Sequence, residues 1–517
     1  MKKLGKAVRA VCFLIVCFVC LSVVSKILAY EHEMEPDLTV KEFYKLEDDE
    51  IQMLVVGSSH TGLGFSPIEC YKQYRITSYN LSTAKQPVDL TYHLMEEALK
   101  TQSPEIVVYD VASLFYKKSE VNVARLRYVL DSMPLSMNKV KLAGCYSYYD
   151  SKEKIFSMAE ALCPIYYFHN RWKELNEEEF LVDEPTSYLK GQFMRTYIKE
   201  VNIDMEKIDS KLAKKMEKDE SRKPTISERN MTYFLKIKDL CEEKGIKLVL
   251  TITPTARWNS VKSDAVKEIC DEYGLDLVDM NKPDGEVVDF STDMADDNHV
   301  NAYGAKKTTK YLCDYIFEKY DITGESSDEY DKSVKYYDAY DNVLKYQMET
   351  DFNKYLTLLN ENKENLTIFI SANGEATAGL QAADIELLQS LGCQITFDET
   401  YKGFSYVSVI DGGNLVYELA QKDTVQYNCV LENGSRVAIS SQGNSAGESA
   451  TVNIDYKEYA INSSGLNIVV YDKNSNTVLD SVAFNTGIDE RKWYRSGDRQ
   501  LELFMFKAYR DWVLENN

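Results

Sequence analysis

From residue 51 to about residue 320, short apolar runs alternate with longer stretches whose apolar positions recur every three to four residues. The runs at 51–56, 75–80, 105–110, 246–253 and 275–279 have the length and β-branched content of buried strands. The stretches 88–101, 229–244, 260–273 and 302–319 carry the helical period. Lys244-Gly245 and Tyr273-Gly274 punctuate two of these helices just before a strand, where glycine takes the left-handed closing position at no steric cost. Strands alternating with helices of this length predict an α/β domain with a parallel sheet covered on both faces. Residues 113–224 break the alternation. They are long, rich in Tyr and Lys and helical in pattern, and they are expected to form a cap over the carboxyl ends of the strands, the edge at which open α/β sheets bind ligands.

The pattern changes after residue 321. Residues 322–329 read as a polar linker and 330–360 as helix. The runs 366–371, 406–410, 415–419, 436–440, 450–454, 466–471 and 478–484 are then β-rich. Asp411-Gly412-Gly413-Asn414 and Asp472-Lys473-Asn474-Ser475-Asn476 are hairpin signals between two pairs of them. Residues 499–517 read as an amphipathic helix with Leu501, Leu503, Phe504, Phe506, Tyr509 and Trp512 on its apolar side. The expected organisation is an anchor (1–30), an α/β domain (31–321) with its insertion, a linker and helix (322–364), a β-rich, sandwich-like domain (365–490) and a C-terminal helix (491–517). A chain of 517 residues is too long for one ordinary domain and long enough for two packed cores.

The N-terminus bears on compartment. Lys2, Lys3, Lys6 and Arg9 precede an apolar run from Ala10 to Ser25, extended past Lys26 by Ile27-Leu28-Ala29-Tyr30. That length approaches the roughly 17–25 residues that cross a bilayer, and the basic flank keeps the N-terminus cytoplasmic. An uncleaved single-pass anchor is expected; the alternative is a cleaved signal peptide, with Val23-x-Ser25 as its site. Either way the remainder is exported. A net charge of −22 repels nucleic-acid phosphate and argues against that partner. Cys12, Cys17 and Cys20 belong to the apolar N-terminal run, and the other eight cysteines are spread singly with no C-x-x-C pair, so neither a metal site nor a cofactor is expected. Cys70, Cys241, Cys270 and Cys313 fall at apolar helical positions and read as core; Cys393 and Cys429 are candidates for a disulfide.

Two short strings carry the candidate chemistry. Gly57-Ser58-Ser59-His60-Thr61 follows the first strand, and Asp296-Asp297-Asn298-His299-Val300-Asn301-Ala302-Tyr303-Gly304 precedes the last helix of the α/β domain. Asp296 and His299 stand three residues apart, so one tight loop can aim the carboxylate at the imidazole, and the imidazole can accept a proton from Ser59. Against this stands a bland alternative in which Ser59 caps the following helix. The chain has five histidines, and one of them sits in this Asp-x-x-His string. His169-x-Arg171-Trp172 in the insertion and Arg257-Trp258 after Thr253-Pro254-Thr255 pair a cation with aromatics, as a glycan or anion grip would, or as buried packing would.

On these strings the stretch from about residue 49 to 320 resembles the SGNH (GDSL-type) hydrolase superfamily, and more narrowly membrane-anchored bacterial proteins related to the D-alanyl transfer protein of teichoic acid modification and to polysaccharide O-acetylation proteins. The resemblance implies a parallel three-layer sandwich with Ser59 as nucleophile, Asp296 and His299 completing the triad, and Ser58 where the family usually has aspartate. It places Ser82, in Asn80-Leu81-Ser82-Thr83, at the glycine position of the second oxyanion block, with Asn80 and His60 as further oxyanion or substrate candidates. The Gly-x-Asn-Asp block expected after the third strand is absent, since that strand ends Val108-Tyr109-Asp110-Val111-Ala112-Ser113. Losing one oxyanion donor typically costs about a hundredfold to a thousandfold, which points to a specialised transferase. The C-terminal runs, with Val409-Ile410-Asp411-Gly412-Gly413 and Gly465 to Asp472, resemble the interleukin-like inducer domain and imply a β-sandwich module for glycan recognition. The expected function is a serine O-acyltransferase or O-acetyl esterase acting on a cell-envelope glycan outside the membrane, with a membrane-bound O-acyltransferase as partner. The competing expectation is a catalytically inactive, anchored glycan-binding or scaffold protein.

Overall fold

In the computed structural model, residues 2–28, 35–117, 123–147, 157–175, 188–282, 285–489, 491–496 and 507–516 are described. They divide into two compact units, Met1–Ser333 and Val334–Asn517, and the division falls inside a helix, Asp328–Gln347.

The first unit is built on five parallel strands: β1 (Met53–Gly57), β2 (Ser78–Ser82), β3 (Ile106–Asp110), β4 (Lys247–Ile252) and β5 (Asp276–Asp279). Each lies within or overlaps an apolar run of the sequence. Alternate residues of one strand serve opposite faces. Leu54, Val56, Val107, Tyr109, Leu248 and Leu250 enter one core with the helices Val88–Ala98 and Glu228–Lys244. Met53, Val55, Ile106, Val108 and Val249 enter the other, with the helices Pro67–Tyr74 and Ala302–Lys319. In that second core the thiols of Cys70 and Cys313 lie 3.0 Å apart. The strand order is β2-β1-β3-β4-β5, so the winding reverses between β1 and β3, and a crevice opens there at the carboxyl ends.

The described helices of the insertion do not form the expected cap; only its segment 188–203 lies at the strand ends. Its helices Val123–Ser132 and Met137–Ser147 pack sideways, with Leu126, Val129, Leu130, Leu142 and Tyr146 joining the first core. Their apolar stripes need a hydrophobic partner, which the flank of the sheet's helical layer supplies and the polar strand ends do not. What crosses the strand ends is a segment without helix or strand, residues 188–203. It is held by hydrogen bonds from Asn80 N to Lys190 O, Phe193 N to Gly62 O, Lys199 N to Met294 O and Val201 N to Phe290 O. At Gly191 (φ +88°) an added Cβ would stand 2.1 Å from Asn80 O.

The polar run at 322–329 is not a free tether either. Ile322 is buried, Glu325 N donates to Arg75 O, Ser327 N donates to the Tyr71 hydroxyl, and the buried Tyr330 hydroxyl donates to Ser78 O at 2.6 Å. Backbone donors that find partners on the domain strap even a polar run down. The N-terminal helix spans Lys2–Leu28. Among the described residues no helix is long and apolar enough to cross a membrane.

The second unit holds one continuous, curled sheet of ten strands where two stacked sheets were expected. They are β6 (Leu366–Asn373), β7 (Ser405–Asp411), β8 (Asn414–Gln421), β9 (Val425–Val430), β10 (Arg436–Gln442), β11 (Ser449–Ile454), β12 (Lys457–Glu458), β13 (Gly465–Asp472), β14 (Thr477–Phe484) and β15 (Trp493–Tyr494). The sheet branches at β6, which pairs with β13 along one edge, with β7 along most of the other, and with β10 through Asn373 and Gln442. The arms curl towards each other, and Phe369, Val407, Val409, Val437, Ile439, Val452 and Val469 fill the space between them. Gly412 and Gly413, both with positive φ, make the β7–β8 turn. Cys393 and Cys429 are both free: Cys393 is buried against the Tyr406 hydroxyl, while Cys429 lines a separate cavity. The final described helix is Lys507–Asn516; Leu501, Leu503, Phe504 and Phe506 lie outside the described residues.

Candidate active site

β1 delivers its chain to the crevice through Gly57. A Cβ there would stand 2.1 Å from Thr61 Oγ1 and 2.9 Å from Asp110 Cβ, so only glycine permits so sharp an entry into the short helix Ser59–Gly64. Ser58 is the N-cap residue of that helix, but its hydroxyl makes no capping bond and lies 2.9 Å from the Tyr116 hydroxyl. Ser59 therefore does not cap the helix. Its backbone N–H lies in the first turn, where no intrahelical acceptor exists, and its hydroxyl turns to the crevice.

The other half of the site comes from the loop before Ala302–Lys319. Asn301 caps this helix, its Oδ1 accepting from the amides of Tyr303 and Gly304, while its Nδ2 donates to Tyr197 O and Thr292 O. Gly304 lies so close to Asp293 O (2.5 Å from an added Cβ) that a side chain would push the helix away. Thr308 Oγ1 donates to Gly64 O at 2.5 Å and Ser66 N donates to Thr309 Oγ1, which docks this helix against the one carrying Ser59.

These supports bring Ser59, His299 and Asp296 into one relay. Ser59 Oγ lies 2.9 Å from His299 Nε2, and His299 Nδ1 lies 2.9 Å from both oxygens of Asp296. Carboxylate oxygens accept only, so Nδ1 carries the hydrogen and Nε2 is left as acceptor for the serine O–H. Asp296 also accepts from Asn298 N and His299 N, and its Oδ2 takes a bond of 2.8 Å from Arg195 Nη1. Partial burial works against the charged carboxylate. The hydrogen bond and charge of His299, the Asn298 amide and the Arg195 guanidinium outweigh it and hold the Asp296 carboxyl well below the usual range.

The remaining candidates take other places. Asn80 spends both amide hydrogens on Thr61 O (2.8 Å) and Phe65 O (3.0 Å), so it braces the serine helix and offers the crevice no donor. Ser82 is paired in register with Gly57 at the end of β2, and its buried hydroxyl has no hydrogen-bond partner. The His60 ring centroid lies 5.3 Å from that of His299, and its buried Nδ1 is also without a partner. Burial first, then the neighbouring His299 and Lys262, push His60 down to about 3, so it is a neutral ring at ordinary pH. Asp110, at the end of β3, accepts from Ala112 N and from the amide and hydroxyl of Thr253; burial pushes its carboxyl up.

Of the cation–aromatic candidates, Trp258 is buried and donates to Ser263 Oγ, while Arg257 is exposed. His169, Arg171 and Trp172 belong to the outer insertion: Arg171 donates to Leu28 O and Trp172 is exposed. Arg195 was not foreseen. It reaches Asp296 from 101 residues away on a segment with no periodicity, and nothing local in the sequence marks it. No protein-family model matches the chain, and no curated protein matches it in sequence.

Proposed function

We propose that this chain is a serine O-acyltransferase or O-acetyl esterase of the SGNH type, anchored in the cell membrane by its N-terminal helix and modifying a cell-envelope glycan on the outer side. The observation that carries the reading is the Ser59–His299–Asp296 relay at the crevice where the sheet's winding reverses. Ser59 Oγ attacks an acyl carbonyl as its proton passes to His299 Nε2, and the ionised Asp296 holds the Nδ1–H tautomer and stabilises the imidazolium. The Ser59 amide is the proposed donor for the oxyanion. His299 then returns the proton to the leaving group, and a glycan hydroxyl or water, deprotonated by the same imidazole, takes the acyl group from Ser59. A membrane-bound O-acyltransferase is the proposed source of acyl groups, and the C-terminal unit the proposed glycan-binding module.

One observation favours the second reading, an inactive scaffold: both hydrogens of the Asn80 amide are consumed within the serine helix, leaving the oxyanion short of a side-chain amide. A fluorophosphonate probe on the full chain separates the two. The enzyme reading expects Ser59 to be labelled, with labelling lost in Ser59→Ala and strongly slowed in His299→Ala. Labelling of other serines with Ser59 untouched would overturn it in favour of the scaffold.

A further inference from the structure

We infer that residues 164–173 form a second contact with the membrane, an aromatic shelf seated at the lipid–water interface beside the end of the N-terminal helix. The inference rests on the anchored reading above and adds a site to it. The short helix Pro164–Phe168 and the turn His169–Lys173 lie against the last turn of Lys2–Leu28. Ile165 N donates to Ser25 Oγ at 2.9 Å, and Arg171, itself buried, donates from Nη1 to Leu28 O at 3.2 Å. An arginine on the last carbonyl of a helix satisfies an acceptor that has no intrahelical donor and suits the negative end of the helix dipole. The shelf is thus fixed at one level along the helix, its exit.

Around that joint three large aromatics are exposed, Tyr166 at 62%, Tyr167 at 44% and Trp172 at 64%, beside exposed His169, Asn170, Lys173 and Glu174. Single exposed apolar residues are ordinary, but three large aromatics within seven residues are not. Val19, Val23, Val24 and Ile27 of the adjoining helix are exposed as well, so the aromatics continue an apolar surface. Tyrosine and tryptophan have an apolar ring and a polar tip and concentrate where hydrocarbon gives way to headgroups. Lys173, with Nζ 5.6 Å from the Trp172 ring, places a cation beside them for lipid phosphate, in a chain whose net charge of −22 would otherwise be repelled by an anionic bilayer. This continuity with the helix commits the occupant to lipid in preference to a second protein. A lone helix tethers a domain but lets it pivot; a shelf beside it fixes which face meets the bilayer.

The test uses the full chain in vesicles of phosphatidylcholine and phosphatidylglycerol, with and without lipids brominated near the headgroup, comparing the native chain with Trp172→Phe. Only a tryptophan within contact distance of the bromines is quenched. The expected result is quenching in the native chain that is mostly lost in Trp172→Phe, at unchanged thermal stability. Equal quenching in the two chains, or none, overturns the shelf. An alkaline carbonate wash reports separately on the anchor. Protein retained but with Trp172 unquenched keeps the anchor and rejects the shelf. Protein released although Trp172 was quenched before the wash keeps the shelf as a peripheral contact and rejects the anchor. Release without quenching rejects both.

Discussion

Both units join aspartate to arginine, and the surroundings of the pairs differ. In the C-terminal unit Asp384 meets Arg491 at 2.7 Å and Asp480 meets Arg495 at 3.0 Å, and both carboxylates are fully buried. Asp480 also accepts from the Tyr355 hydroxyl, and Arg495 donates to Tyr346 O. Such a pair is closed: removing one member strands a buried charge. In the N-terminal unit Asp296 meets Arg195 at 2.8 Å, but the two side chains are 38% and 30% exposed and the carboxylate also accepts from the His299 ring and from the Asn298 and His299 amides. The same two residue types lock a core where both carboxylates are fully buried and answered by arginine. They prepare an imidazole where one end of the network is left to a serine.

The comparison can be broken at several points. The largest effect is expected from His299→Ala, which should lower turnover of an activated acyl ester by about 10⁶-fold, as loss of the base does in such triads; a change of less than about tenfold would remove His299 from the chemistry. Asp480→Ala should cost about 3–5 kcal/mol of stability in the C-terminal unit by leaving Arg495 buried and unpaired, with fluorophosphonate labelling of Ser59 unchanged. Chemical denaturation of the full chain checks this, and a loss below about 1 kcal/mol would mean the pair is not closed.

His60 gives a pH signature. Because burial takes it from 6.5 to about 3, the unfolded chain binds a proton at this site across that window and the folded chain does not. Stability should therefore be full above the ordinary histidine value and fall as pH drops towards 3, by at most about 1.4 kcal/mol per pH unit from this residue, less whatever solvent screening removes. His60→Asn should flatten that slope, which denaturation midpoints at several pH values would read. An unchanged slope would show that other groups set it. The smallest effect belongs to Arg195→Gln. A half-open pair is worth under about 1 kcal/mol in stability, and the rate should fall only a few-fold as Asp296 loses one of its donors. Arg491→Gln should reverse the pattern, costing stability and sparing the rate. Equal behaviour of the two variants would erase the distinction between closed and open pairs.

Where side chains alternate or repeat along the chain, the sequence foretold the structure closely. The helices Ser260–Tyr273 and Ala302–Lys319 begin and end where their period does, and all five parallel strands overlap apolar runs. The meeting of Ser59, His299 and Asp296 was legible because a strand end and a helix start fix their positions locally. β9 went unseen although Val425, Tyr427 and Cys429 alternate with Gln426 and Asn428, because no continuous apolar run marks it. The segment at 188–203 and the true place of the insertion could not be read at all. Their positions are set by hydrogen bonds to residues a hundred or more places away, and Arg195 is the clearest case.

The branching of the curled sheet at β6 has a consequence in time. β6 is the first strand of its sheet to be synthesised and has three partners, yet its neighbour over its full length, β13, begins only at Gly465. At about 5–20 residues per second, one edge of β6 stays unpaired for on the order of 5–20 s during synthesis. All eight of its residues, Leu-Thr-Ile-Phe-Ile-Ser-Ala-Asn, lack charge and proline, which is the composition of a strand that pairs with the wrong neighbour if left open. The first partner, β7, closes the other edge early. The order of strands along the chain thus makes this unit dependent, while nascent, on whatever holds the β13 edge of β6 apart from other chains.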